Sequence, residues 1–215
     1  KKEMTPKRLA VSTLLSLQNL MQSSPALETM TVQDMVAAVE EKIDSAGING
    51  AGTGNIPLGA LNHADVNTIA AGANGDNPTW AHIIDLETAV YVANANAAKM
   101  GYIINSGTQG RLKKTKHEAG DLGYLMDKKN MINNYEVGVT NLMPGNLSKG
   151  TGTDLNAALF GDFNQLLIGQ WGFYDLSVDD KSRKKEGYVE ITLNTFLDIL
   201  LRQPKAFSVI KDWVL

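Results

Sequence analysis

Residues 25–59 read PALETMTVQDMVAAVEEKIDSAGINGAGTGNIPLG, an amphipathic run whose last thirteen positions, 47–59, hold five glycines. Pro25 suits the first position of a helix, and Ser24 suits the N-cap before it, where a hydroxyl accepts from an orphan amide. Leu27, Met30, Met35, Val39, Ile43 and Ala46 recur at three-to-five-residue intervals as an apolar stripe. Glu28, Gln33, Glu40, Glu41 and Lys42 form the opposite face. The pattern predicts a helix over about 25–46, about 30 Å long, with Gly47 just past its end as a C′ glycine.

The glycines themselves fit no phosphate cradle. Gly47 to Gly52 has the spacing of a P-loop, but Thr53-Gly54 stands where Lys-Ser/Thr is needed, and Gly54 to Gly59 is followed by Ala60-Leu61. A dinucleotide fingerprint lacks its third glycine at Asn55 or at Pro57. Both templates also place the loop before a helix, so that N-terminal amides face the anion. Here the loop follows a helix, whose terminal carbonyls repel one. The stretch reads as a chain reversal.

Composition narrows the classes further. With 215 residues, 43% hydrophobic and 20% charged, the chain is long enough for one large domain or two small ones and too apolar for bulk disorder. A formal net charge of -3 gives no global basic field for gripping nucleic acid. The absence of cysteine excludes disulfides and thiolate chemistry and fits a reducing cytosol. No apolar run approaches the roughly 18 to 20 residues that span a bilayer, so no membrane partner is expected. The N-terminus carries basic residues without an apolar run behind them, unlike a signal peptide. Lys1 stands where an initiator methionine is usual, and further chain is expected upstream.

Along the rest of the chain, RLAVSTLL (8–15) reads as a strand leading into a helical turn. Thr79 is a natural N-cap for a second helix through WAHIIDLETAVYVANANAAK (80–99), with Trp80, Ile83, Ile84, Leu86, Val90 and Ala93 as its apolar side. GYIIN (101–105) reads as a short buried strand. Residues 108–126 read as a polar, partly helical surface segment. NYEVGVTNLMP (134–144) alternates as a strand ending at Pro144. NAALFGDFNQLLIGQWGFYDLSVD (156–179) reads as two or three strands, EGYVEITLNTFLDILL (186–201) as one long strand, and the final residues as extended. Helices first and strands later imply α+β.

Catalytic and metal constellations are absent from the pattern. His63, His82 and His117 have no zinc-site spacing, and His82 reads as a packed or rim residue. NLSKG (146–150) lacks the first glycine of a serine-hydrolase elbow. Asp179-Asp180 and Glu40-Glu41 read as solvated pairs. The basic runs RLKKTKHE (111–118) and KSRKKE (181–186) carry no interleaved aromatics for stacking bases. The expectation is no catalytic, cofactor-binding or metal-binding residue and no cofactor.

Taken in order, these pieces resemble tailed-phage major capsid proteins of the Hong Kong ninety-seven type. The long helix matches that family's spine helix through Leu20, Ser23, Ser24 and Pro25, and its exit through Asn49-Gly50, Gly52, Pro57, Gly59 and Leu61. Val137, Val139, Met143 and Pro144 match a family strand that usually carries one more proline. Phe160, Gly161, Asp162, Phe163 and Ile168 match a hairpin, and RQPKAF (202–207) matches the closing segment.

The resemblance implies a peripheral P-domain, here 1–73 with the spine helix, an axial A-domain over about 74–186, and returning strands over about 187–215. It implies a structural subunit that self-assembles into the hexamers and pentamers of an icosahedral shell enclosing DNA, made in a bacterial host cytoplasm and ending in the virion. Its partners would be other copies of itself, a scaffold or protease segment upstream, and packaged DNA through weak, non-specific contact. The N-terminal arm and E-loop of the family are expected upstream of Lys1, so this chain alone is expected to be a monomer or small oligomer. Some relatives weld the shell by lysine–asparagine isopeptide bonds. Counting back from Pro204, the acceptor and its helper carboxylate fall near Gly187 and Asn194, neither suitable. Two other readings remain at this point: an enzyme, such as a prophage processing protease or a nucleotide hydrolase, and a weak nucleic-acid-binding module using the two basic runs.

Overall fold

The computed structural model describes residues 2–22, 26–95, 99–117, 123–126 and 129–215. Two sheets and one long helix organise them. Strand β1 (Lys7–Ser16), the short helix α1 (Leu17–Gln22) and the long helix α2 (Ala26–Asn49) come first. They are followed by β2 (Asn67–Ile69), α3 (Trp80–Val92), β3 (Met100–Ile104) and α4 (Ser106–Leu112). Strands then dominate: β4 (Met131–Ile132), β5 (Tyr135–Val139), β6 (Leu147–Lys149), β7 (Gly152–Asp162), β8 (Leu166–Asp179), β9 (Tyr188–Leu201) and β10 (Phe207–Trp213). The α+β expectation holds.

A three-stranded sheet of order β1-β9-β8 is antiparallel throughout, and α2 packs on one of its faces. Alternation along β9 places Val189, Ile191, Leu193 and Leu197 on the helix side. Met35 and Val39 of α2 meet Ile191 and Leu193, with Leu9, Val11 and Ile43 packed around them. The larger core lies in the seven-stranded mixed sheet, ordered β2-β10-β7-β3-β5-β4 with β6 against β7. There α3 covers β10 and β7, and Ile83, Leu86, Tyr102, Phe160, Phe207 and Trp213 are fully enclosed. No helix among the described residues is long and apolar enough to cross a membrane.

Several local expectations need correction. Helix α2 runs through Gly47 to Asn49, so Gly47 does not cap it. Continuing buries Ile48 in the main core, and the last turn closes with Gly50 N donating to Ala46 O at 3.0 Å. Met30 is 62% exposed although counted in the apolar stripe. Its five-residue step to Met35 turns about 140° around the helix, whereas Val32 and Val36 keep to the sheet side. The expected cap at Ser24 and Pro25, with Ser23, lies outside the described residues.

Helix α3 begins as expected, Thr79 accepting from His82 N at 3.3 Å, but stops at Val92 rather than near Lys99. Asn94 adopts φ 51°, and Asn94 N and Ala95 N donate back to Tyr91 O and Val90 O, a Schellman ending that satisfies the terminal carbonyls. Ile84, assigned to its apolar side, is exposed. The segment expected on the surface after β3 sends Leu112, Leu125 and Met126 into the main core, and β5 ends at Val139, before Pro144.

Candidate assembly surfaces

Among the described residues no metal-binding cluster emerges from this architecture. The three histidines are apart: His63 lies beside Asp65, His82 sits half-buried on α3, and His117 stacks on Trp80 with ring centroids 4.3 Å apart. Among the described residues no group of three or more His, Asp or Glu could hold a metal. Asp179 and Asp180 begin the β8–β9 turn. The Ser182 hydroxyl, then the Ser182 and Lys181 amides, hold the Asp179 carboxyl down to about 2, so it acts as a turn brace. Arg183 in the same turn pairs with Glu186 and Glu190, which leaves the run 181–186 less basic than its sequence.

The buried carboxylates are structural. Asp162, at the end of β7, accepts from Asn164 N and Gln165 Nε2, both at 3.1 Å, and sets the corner into β8. Asp198 on β9 accepts from Thr5 N and Lys7 Nζ, tying the N-terminal segment across the sheet. Asp212 on β10 accepts from Lys149 Nζ at 2.5 Å and from the amides of Ala71 and Gly72.

Glu87 on α3 accepts from Tyr102 Oη at 2.8 Å and Asn133 Nδ2 at 2.7 Å, with the Tyr91–Tyr135 hydroxyl pair alongside. Burial pushes its carboxyl up, and the two hydrogen bonds only partly oppose this. Because the folded value is raised, protonation favours the fold: the contribution is fully present below the unfolded value and lost as pH rises through the folded one. Glu87→Gln keeps an acceptor for Asn133 and a donor for the Tyr102 oxygen. It is expected to change stability at pH 7 by less than about 1 kcal/mol and to flatten the decline that sets in as pH rises above the unfolded value, about 4. Urea unfolding at several pH values measures both.

What the fold does present is lateral apolar surface. Among the described residues, both outer strands of the three-stranded sheet, β1 and β8, have one unpaired edge. Nearly all of β8 is exposed, including Leu167, Ile168, Trp171, Phe173, Leu176 and Val178. A long exposed apolar edge strand is an invitation to pairing with another chain. Met21, 90% exposed on α1, and Met30 on α2 are further exposed apolar side chains. The solvent face of α2 is acidic, with Glu28, Asp34, Glu40, Glu41 and Asp44 against Lys42. An apolar pocket of about 340 Å³ opens between the start of β1, the last turns of α2 and the loop behind it; Leu9, Ile43, Ala46, Ile56 and Pro57 line it.

Residues 1–212 match the Phage capsid family, which is nearly the whole chain. The protein belongs to the Phage capsid family. Membership bears out the resemblance seen in the sequence to phage capsid proteins. The chain is 26% identical over 211 residues to the major capsid protein of Halomonas phage phiHAP-1, covering 98% of this chain and 33% of that protein. It therefore spans about a third of the length of that curated relative. In structure it is similar to the capsid of a native GTA particle, with TM-score 0.76 and 21% identity over 98% of this chain and 74% of the other. It is also similar to a chain of Gordonia phage Cozz, with TM-score 0.73 and 16% identity over 98% and 71% of the two chains. These likenesses bear out the Hong Kong ninety-seven type α+β capsid fold. The exposed β8 edge and the pocket beside β1 were not legible in the sequence, because edges carry no motif.

Proposed function

We propose that the protein is the major capsid subunit of a tailed phage or prophage, self-assembling into hexamers and pentamers of an icosahedral shell around DNA. The observation that carries this reading is the capsid-family match across residues 1–212. The two open sheet edges, that of β8 strongly apolar, support it physically, because a subunit that works by tiling needs sticky margins more than a pocket. In this reading α2 with the β1-β9-β8 sheet forms the peripheral unit and the seven-stranded sheet the axial one. The division at 73/74 and 186/187 then shifts: 67–69 joins the axial unit through the pairing of β2 with β10, and 166–179 joins the peripheral unit through the pairing of β8 with β9. A scaffold or protease segment upstream, and weak sequence-independent contact with DNA through Lys181, Lys184 and Lys185, complete the set of partners.

The test is to express the full-length protein carrying this chain and examine it by negative-stain electron microscopy and light scattering. Closed shells or regular capsomers of megadalton mass are the expected result. A persistent monomer, with turnover of a nucleotide or peptide substrate, overturns the reading.

A further inference from the structure

The sheet that carries α2 has matched margins. Strands β1 and β8 both run antiparallel to β9 and therefore parallel to each other. A second copy displaced sideways in the sheet plane brings its β1 edge alongside β8 of the first, with both strands pointing the same way.

A feature on each margin lies at the same height. Across the sheet, Trp171 is level with Phe196 and Arg8, and Asp175 is level with Asn194 and Ala10. The three residues between, Gly172, Phe173 and Tyr174, bulge from β8 opposite Thr195, whose partner on β1 is Leu9. Gly172 takes φ 77°, the left-handed region that glycine enters without strain, and this turns Phe173 outward. Phe173 is 94% exposed, more than any other large apolar side chain of the described residues. On the other margin, Leu9 lines the 340 Å³ pocket together with Ile43, Ala46, Ile56, Pro57 and Leu197. The knob and the hole share one register.

Charge agrees with shape. Exposed Asp175 follows the knob, while Arg8 and Lys42 stand at the rim of the pocket. The exposed apolar side chains of β8, three of them aromatic, offer on the order of 700 Å². That approaches the roughly 800 Å² that each partner gives to a stable interface.

We propose that copies of this chain dock side by side, β8 of one against β1 of the next, with Phe173 of the first seated in the pocket beside Leu9 of the second. The proposal rests on the shell-subunit reading and names one of its contacts. The contact is heterologous, so it propagates: it closes into a ring or continues as a lattice according to the angle between copies. The bulge adds local twist at that point, which sets an angle different from a flat ribbon.

Residues 1–215 bring no cysteine of their own, and with any cysteine elsewhere in the full-length protein replaced by serine a direct test is available. In assembled material, the Phe173→Cys/Ile56→Cys double variant is expected to form a ladder of covalent multimers on oxidation, collapsing with reductant. Each single variant is expected to lack it. The pair cannot close within one subunit, because β9 separates the two margins by about two strand spacings, beyond the reach of a disulfide. Separately, Phe173→Ala is expected to keep its melting temperature and to raise the protein concentration needed for assembly at least about ten-fold. Particles without a ladder, or Phe173→Ala assembling at the unsubstituted concentration, overturn this docking and leave the shell reading standing. If the unsubstituted protein forms no particles at all, both fall.

Discussion

Gly59→Ala is expected to lower the melting temperature of the chain by roughly 10 °C. The loop behind α2 folds back so that Gly50 and Gly59 lie backbone to backbone. Gly59 N donates to Gly50 O at 2.9 Å, and Gly52 N to Pro57 O at 3.1 Å. A Cβ on Gly59 would stand 2.8 Å from Ala46 O and Asn49 N, and closer still to Gly50 N. Every atom it meets is backbone, so no rotamer change relieves the clash. Ala60 and Leu61, buried directly after it, prevent the loop from lifting away. Overpacking of this kind costs about 3–4 kcal/mol. Gly54→Ala is the control: its Cβ meets nothing within 4 Å, and only its φ of 60° resists, at about 1 kcal/mol. Thermal unfolding followed by circular dichroism compares the two, and equal losses would contradict the argument.

Asp212→Ala is expected to cost about 3 kcal/mol, nearly as much by an opposite route. The carboxylate is 2% exposed and gathers Lys149 from β6 with the amides of Ala71 and Gly72. Removing it leaves part-buried donors without an acceptor where β10, β6 and the 70–76 loop converge. Burial alone pushes this carboxyl up, but the Lys149 bond and then the two amides more than reverse the effect and hold it below the usual carboxylate range. A depressed folded value contributes stability that is present above the unfolded value, about 4, and lost as pH falls through the folded one. The variant should therefore be weaker at pH 7 and less sensitive to acid below about pH 4. Chemical denaturation at pH 7 and pH 3 measures both, and a variant equally stable at pH 7 would refute the role.

The sequence carried the elements whose signals are local. Thr79 announced α3 because a hydroxyl at an N-cap works through its own neighbours. The alternation in β9 announced a strand with one buried face. The glycine-rich exit of α2 was recognisable as a reversal, yet its mechanism lay elsewhere. Gly47 had the position of a cap, and only the three-dimensional core shows that Ile48 draws the helix two residues further. Gly50 and Gly59 are small because each other's backbone is in the way, a fact spread over nine residues. The same limit hid the margins: nothing in QWGFYDL reveals that Phe173 stands level with Leu9, since that relation passes through β9.

The central strand also has a mechanical meaning. Ten register pairs join β9 to β1 and eleven join it to β8. A pull along the strands loads these rungs in shear, so they must give way together rather than open one at a time like a zipper. For a tile stretched by a tightly filled container, the direction of the strands is then a choice about where the wall resists rupture.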